Sequence, residues 1–167
     1  MQKRTLLTAL ALAPLLGACG FRLRGVPEFA FRSLYLSAPA ASPLARELQR
    51  TLASAGAALT VSRDPQQLTQ AEVILDLLSE QRERVVVAYN SSGQVRELQL
   101  RLRVSFRLRT LAGEELIGNT ELLQTRDVSY NETQALAKEA EEALLFRNMQ
   151  TDIVQQLLRR LAAVQRD

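Results

Sequence analysis

The stretch Glu97–Arg109, ELQLRLRVSFRLR, decides the fold. Leu98, Leu100, Leu102, Val104, Phe106 and Leu108 alternate with Glu97, Gln99, Arg101, Arg103, Ser105, Arg107 and Arg109. Successive side chains of a strand point to opposite faces, so this period of two gives a strand with one dry and one wet face. Half-buried strands of this kind belong to antiparallel sheets. Ahead of it, Asn90, Ser91, Ser92 and Gly93 supply a turn, and 72–89 reads as a long strand. Val73, Leu75 and Leu77 alternate there with Glu72, Ile74 and Asp76, and Val85, Val86 and Val87 close the run. The charges at 80–84 predict an irregular or exposed middle. Behind it, Ala112 and Gly113 turn the chain back into a less regular partner strand over 115–130, with Leu116 and Leu122 on the dry face.

The dry face needs cover, and two segments are fit to give it. The chain from 131 to 166 has no Pro or Gly and is dense in Ala, Leu, Glu and Gln, which favour helix. Leu145, Met149, Ile153, Leu157 and Leu161, joined by Leu136, Ala140 and Leu144, form an apolar stripe that reads as core. A helix of about 30 residues is about 45 Å long, which matches strands of about 13 residues. Earlier, Ser42 is an N-cap with Pro43 at N1, and Leu44, Leu48 and Leu52 continue a helix that Gly56 stops. Ser33–Ser37 is a short strand, while 57–71 is mixed, with a strand turn near Leu59–Val61 and a loop at Asp64 and Pro65; its pairing stays open. The predicted fold class is α+β: a two-layer sandwich with two helices on one face of a four-stranded, mostly antiparallel sheet. The other face then has no cover and carries Arg101, Arg103, Arg107 and Arg109, which in the plainest reading are a solvated sheet face. Sheet edges are a liability unless short, charged or covered by a partner.

The amino terminus reads differently. Lys3 and Arg4 precede an uncharged run from Thr5 to Leu16, followed by Gly17, Ala18 and Cys19. A charged start, an apolar run too short to span a bilayer and a small-residue cleavage site make an export signal over 1–18. Leu16-Gly17-Ala18-Cys19 resembles the lipobox of bacterial lipoproteins, which implies that Cys19 becomes the acylated first residue of the mature chain. Several acyl chains exceed the two signals that stable anchoring needs. Gly20, where Asp would retain an enteric lipoprotein in the inner membrane, points by the same resemblance to the outer membrane, facing the periplasm. Residues 19–32 then form a lipidated tether, and 33–167 a single domain.

Of the 167 residues none is histidine, which removes the commonest general base and metal ligand. Cys19 is the only cysteine, so neither an intrachain disulfide nor a thiol metal cluster forms. The formal charge of +3 drops to about +1 without Lys3 and Arg4. No nucleophile elbow, P-loop or dinucleotide turn is present, and no cofactor, metal, nucleic acid or enzymatic turnover is expected.

Three further stretches carry a family resemblance. Cys19-Gly20-Phe21-Arg22-Leu23-Arg24 resembles the mature start of the LPS-assembly lipoprotein LptE family. Arg96-Glu97-Leu98-Gln99-Leu100 is similar to that family's R-E-Y-Q-L strand, with Leu98 in place of the aromatic. Asp127-Val128-Ser129-Tyr130-Asn131 leads into Ala135-Leu136-Ala137-Lys138-Glu139 and the helix of Met149, Asp152, Leu157, Arg160 and Leu161. The resemblance implies two helices on a four-stranded sheet, a place in the lumen of the outer-membrane β-barrel LptD, support of that barrel's assembly, and lipopolysaccharide binding during delivery to the cell surface. Tracing the strands up and down puts the start of the last helix at the same end as the 90–93 turn. Lys138 and Arg96 meet there and are the expected lipopolysaccharide-binding residues, pairing with its phosphates. The plain alternative for Lys138 is a solvated lysine beside Glu139 and Glu141. A pilot or accessory lipoprotein of another envelope system would share anchor and fold. A membrane-anchored hydrolase would need a Ser/Lys scheme on Lys138, the only lysine after the signal.

Overall fold

Alternation of Leu and Arg produces a long internal strand over Val95–Thr110, as the computed structural model shows. The structure describes residues 28–55, 59–130 and 135–165, with side chains from 138 in the last segment. The expected signal over 1–18, Cys19, the tether as far as Pro27 and the Gly56 helix stop lie outside the described residues. In chain order the elements are β1 (Ser33–Ser37), α1 (Pro43–Ala55), β2 (Thr60–Ser62), a 3-10 helix (Pro65–Gln70), β3 (Val73–Tyr89), β4 (Val95–Thr110), β5 (Glu115–Ser129) and α2 (Ala135–Ala162).

The sheet has five strands in the order β2-β1-β3-β4-β5 and is mixed. This corrects the four-stranded, mostly antiparallel sheet expected from the sequence. β1 runs parallel to both β2 and β3, while β3, β4 and β5 are antiparallel neighbours. The reason is connectivity: α1 carries the chain back after β1, so β2 must start again in the same direction, and parallel strands require such a crossover. β2, with three residues, is too short to show a period. The 3-10 helix returns the chain to β3 and leaves a hollow of about 210 Å³ lined by Ser33, Leu34, Thr60, Ser62, Gln67, Gln70 and Ala71. Ser33, Thr60 and Ser62 belong to the face opposite Leu36 and Val61 in the strand register, so the wet side is not entirely bare.

Leu98, Leu100, Leu102, Val104, Phe106 and Leu108 are all buried, as their alternation requires. All but Leu98 share one core with Leu44, Leu48 and Leu52 of α1 and with Met149, Ile153, Leu157 and Leu161 of α2. Ser42 caps α1, its Oγ accepting from Ala45 N at 3.0 Å. Phe31 is buried in the same core and Phe29 packs against it, so packing begins ahead of β1. At the β3–β4 turn Asn90 Oδ1 accepts from Ser92 N and Gln94 N, and Gly93 takes φ 78°, a conformation costly for any residue with a Cβ. Gly113 does the same at the opposite end, with φ 96°.

One irregularity changes what β3 shows to the helices. Val73, Leu75 and Leu77 face the core, then the register slips between Leu77 and Ser79. An extra residue in a strand swaps the faces of everything after it. Glu80, Arg82 and Arg84 therefore sit opposite Val104, Leu102 and Leu100, on the helix side. Polar contacts follow: Glu80 accepts from Ser42 Oγ at 2.8 Å, Arg82 Nη2 donates to Gln150 at 3.2 Å and its guanidinium lies 5.4 Å from the Phe146 ring centre. The stripe of α2 differs accordingly in its first half, where Glu142 and Phe146 are buried and Leu144 is exposed.

Candidate functional site

Two groups of cations were expected to matter, and the fold puts them in different places. The first lies at the end of the sheet marked by the Asn90–Gln94 turn. Tyr130 N donates to Arg96 O at 2.8 Å, which joins the end of β5 to the start of β4. Ser129 is paired with Glu97 in the register, and Lys138 Nζ reaches to 3.5 Å from Ser129 Oγ. Lys138 and Arg96 thus belong to the same end of the molecule, as chain direction requires. Their states differ. Lys138 is only 15% exposed and is bound to Glu141 Oε2 at 2.7 Å, one helical turn on. The Arg96 side chain is exposed and makes no hydrogen bond or ion pair among the described residues. The freer cation is the arginine.

The second group is the wet face of β4. Arg107 Nε and Arg109 Nε donate to the same oxygen, Asp76 Oδ2, at 2.8 and 2.9 Å. Asp76 stands opposite Arg107 in the β3–β4 register and Ser37 stands beside it on β1. Burial alone would raise the Asp76 pKa, but hydrogen bonds and charge from Arg109 and Arg107 outweigh it and hold the carboxyl below its ordinary value. Arg103 pairs with Glu121 of β5 and lies 3.8 Å from Glu83 of β3. Arg101 Nε donates to Gln99 at 2.8 Å, and Gln99 donates to Asp127 at 2.9 Å. Three of the four arginines are therefore tied to carboxylates, Arg103 to Glu121 and Arg107 and Arg109 to the shared Asp76, while Arg101 bonds to the neutral Gln99, each cross-strand pair adding a modest stabilisation.

Sequence reasoning placed Asp76 on the wet face but missed its role. Counted back from the 90–94 turn, Asp76 falls opposite Leu108, and only the slip between Leu77 and Ser79 brings it opposite Arg107. The Glu142 carboxylate, buried against β3, was also missed, because the slip after Leu77 that brings Arg84 over to it leaves no mark in the hydrophobic pattern. Among the described residues no group of His, Cys, Asp and Glu could hold a metal ion, and no helix is long and apolar enough to cross a membrane.

A mixed sheet sharing its core with two helices is a fold shared with solved bacterial lipoproteins. The chain is similar to lipoprotein B from Nitrosomonas europaea, at 34% identity over 86% of this chain and 91% of that one, with a TM-score of 0.73. Rare lipoprotein B from Shewanella oneidensis shares the fold at 23% identity, over 78% of this chain and 94% of that one, with a TM-score of 0.65. A minor lipoprotein from Acinetobacter baumannii does so at 21% identity, over 81% and 94%, with a TM-score of 0.64. No curated protein sequence matches the chain. The family model for LptE, lipopolysaccharide-assembly, matches residues 31–161. The chain belongs to the LptE family of lipopolysaccharide-assembly lipoproteins.

Proposed function

We propose that this chain is the lipoprotein partner of the outer-membrane β-barrel LptD: anchored through an acylated Cys19 on the periplasmic side of the outer membrane, seated in the barrel lumen, supporting the barrel's assembly and binding lipopolysaccharide without turnover. Residues 1–18 are its export signal, 19–32 its tether and 33–167 the domain that enters the barrel. The observation that carries the reading is the shape of the β3–β4–β5 ribbon. β1 pairs with β3 only from Leu34–Val73 to Ser37–Asp76, so among the described residues the rest of β3 has no strand on its outer side, and β5 has none on its own outer side. Long unpaired edges need cover in a soluble protein, and an enclosing wall gives it. Leu78, Val87 and Tyr89 are exposed along the free part of β3, which adds apolar surface to the same demand.

Lipopolysaccharide binding is assigned to Lys138 and Arg96 at the turn end, with Arg96 making the first contact and Lys138 following when it exchanges Glu141 for a phosphate. Charge-assisted bonds to phosphate are stronger than an exposed lysine–glutamate pair. The test is lipopolysaccharide binding by the full chain carrying Lys138→Ala and Arg96→Ala. Weaker binding that depends less on salt, with unchanged circular dichroism, supports the assignment; wild-type affinity at low salt rejects it.

A further inference from the structure

We infer that Arg107 and Arg109, held by Asp76, form a second anion site on the wet face whose ligand is a terminal phosphate group, as in a phosphate monoester or free phosphate. Both arginines are engaged through Nε alone, so the Nη1 and Nη2 nitrogens of each have no partner among the described residues. The side chains remain 38% and 27% exposed, while that of Asp76 is 10% exposed. One carboxylate thus fixes two guanidinium groups as neighbours and neutralises only one of them. What faces solvent is a pair of prealigned two-nitrogen forks.

The ligand class follows from the number of oxygens. A carboxylate has two and satisfies one fork, whereas a phosphate monoester has three terminal oxygens and close to two charges, enough for both forks at once. Glu115 stands across from Arg109 on β5, without an ion pair to it, and favours a compact ligand that fits between the arginines over an extended polyanion. Ser37, next to Asp76 on β1, supplies a hydroxyl at the rim. The site is at the end of the sheet opposite the 90–94 turn, away from Lys138 and Arg96, and its presence does not depend on theirs. A phosphate there comes either from a lipid headgroup or from free phosphate.

The experiment uses the full chain in detergent micelles and titration calorimetry with three probes: inorganic phosphate, short-chain phosphatidic acid and short-chain phosphatidylcholine. Wild type should bind the first two and not the third. Tighter binding of phosphatidic acid than of inorganic phosphate supports a lipid headgroup as the source, and equal binding supports free phosphate. Arg107→Lys with Arg109→Lys keeps the charge and loses the forks, and binding should fall by about tenfold, the worth of one charge-assisted contact. Asp76→Asn adds a net positive charge but releases the forks, and should also weaken binding. Lys138→Ala should leave it unchanged. Wild-type affinity in the double lysine variant, or tighter binding by Asp76→Asn, overturns the inference, because either result reduces the site to undirected charge.

Discussion

Arg84 Nε stands 2.8 Å from Glu142 Oε2 and ties the free part of β3 to the first half of α2. The carboxylate oxygen receives no aligned hydrogen bond, so the pair is held by charge. The Glu142 side chain is 5% exposed and that of Arg84 60%, which makes the two ends unequal. Removing Arg84 strands a buried carboxylate; removing Glu142 leaves a cation in water. Arg84→Ala should cost about 1–2 kcal/mol, less than a wholly buried pair because the arginine is largely solvated. Glu142→Leu should be close to neutral, since it leaves no buried charge and returns Arg84, 60% exposed, to water. Urea unfolding of the two variants measures the asymmetry, and equal losses would contradict it.

The clamp on Asp76 predicts an acid dependence. Its carboxyl is held below the ordinary 3.8 in the folded chain, so the ionised form favours folding. That contribution is complete above the unfolded value and is lost as pH falls through the lower folded one. Asp76→Asn should therefore be less stable than wild type at neutral pH, and the gap should close as the medium is acidified below about pH 4. Urea midpoints of both proteins across that range test the sign; a gap that widens in acid would refute it.

Ser42 does two jobs, accepting from Ala45 N and donating its hydroxyl to Glu80. Ser42→Ala should cost about 1 kcal/mol through the lost cap. Asp, ordinarily as good a cap as Ser, should fail here because its carboxylate would meet that of Glu80 with no proton between them. Thermal unfolding of Ser42→Asp below or level with Ser42→Ala is the expected order.

Cys19 should carry the anchor. Intact mass of the protein from membranes should show a chain starting at Cys19 with added diacylglyceryl and acyl groups, and an unmodified Cys19 would remove the anchor from the account.

How far the sequence could be read depends on where side chains alternate. β4 was legible residue by residue, because every even position from Leu98 to Leu108 is apolar and every one is buried. α1 was equally plain from Ser42, Pro43 and the Leu44, Leu48, Leu52 spacing. β2 was not, since three residues carry no period and only the α1 crossover makes them a parallel neighbour of β1. The first half of α2 misled at Leu144, which looks like core and is exposed, while Leu145 does pack against the core; the slip after Leu77 turns Arg82 and Arg84 toward the helix, and Phe146 and Glu142 answer them. At the candidate site, chain direction was enough to bring Lys138 and Arg96 to one end. That Glu141 lies beside Lys138 is the plain alternative read from their i,i+3 spacing, and the structure shows that pair; that the Arg96 side chain has no partner among the described residues depends on rotamers, which no spacing encodes.

The central claim is the barrel partnership, and isolation from detergent-solubilised outer membranes tests it most directly. With the full chain tagged at its carboxyl terminus, an outer-membrane β-barrel should co-purify in equimolar amount, and the domain in that complex should resist protease longer than the same protein alone. A chain that comes out of the membrane without a barrel, and is cleaved as fast in native membranes as when purified, would contradict the account.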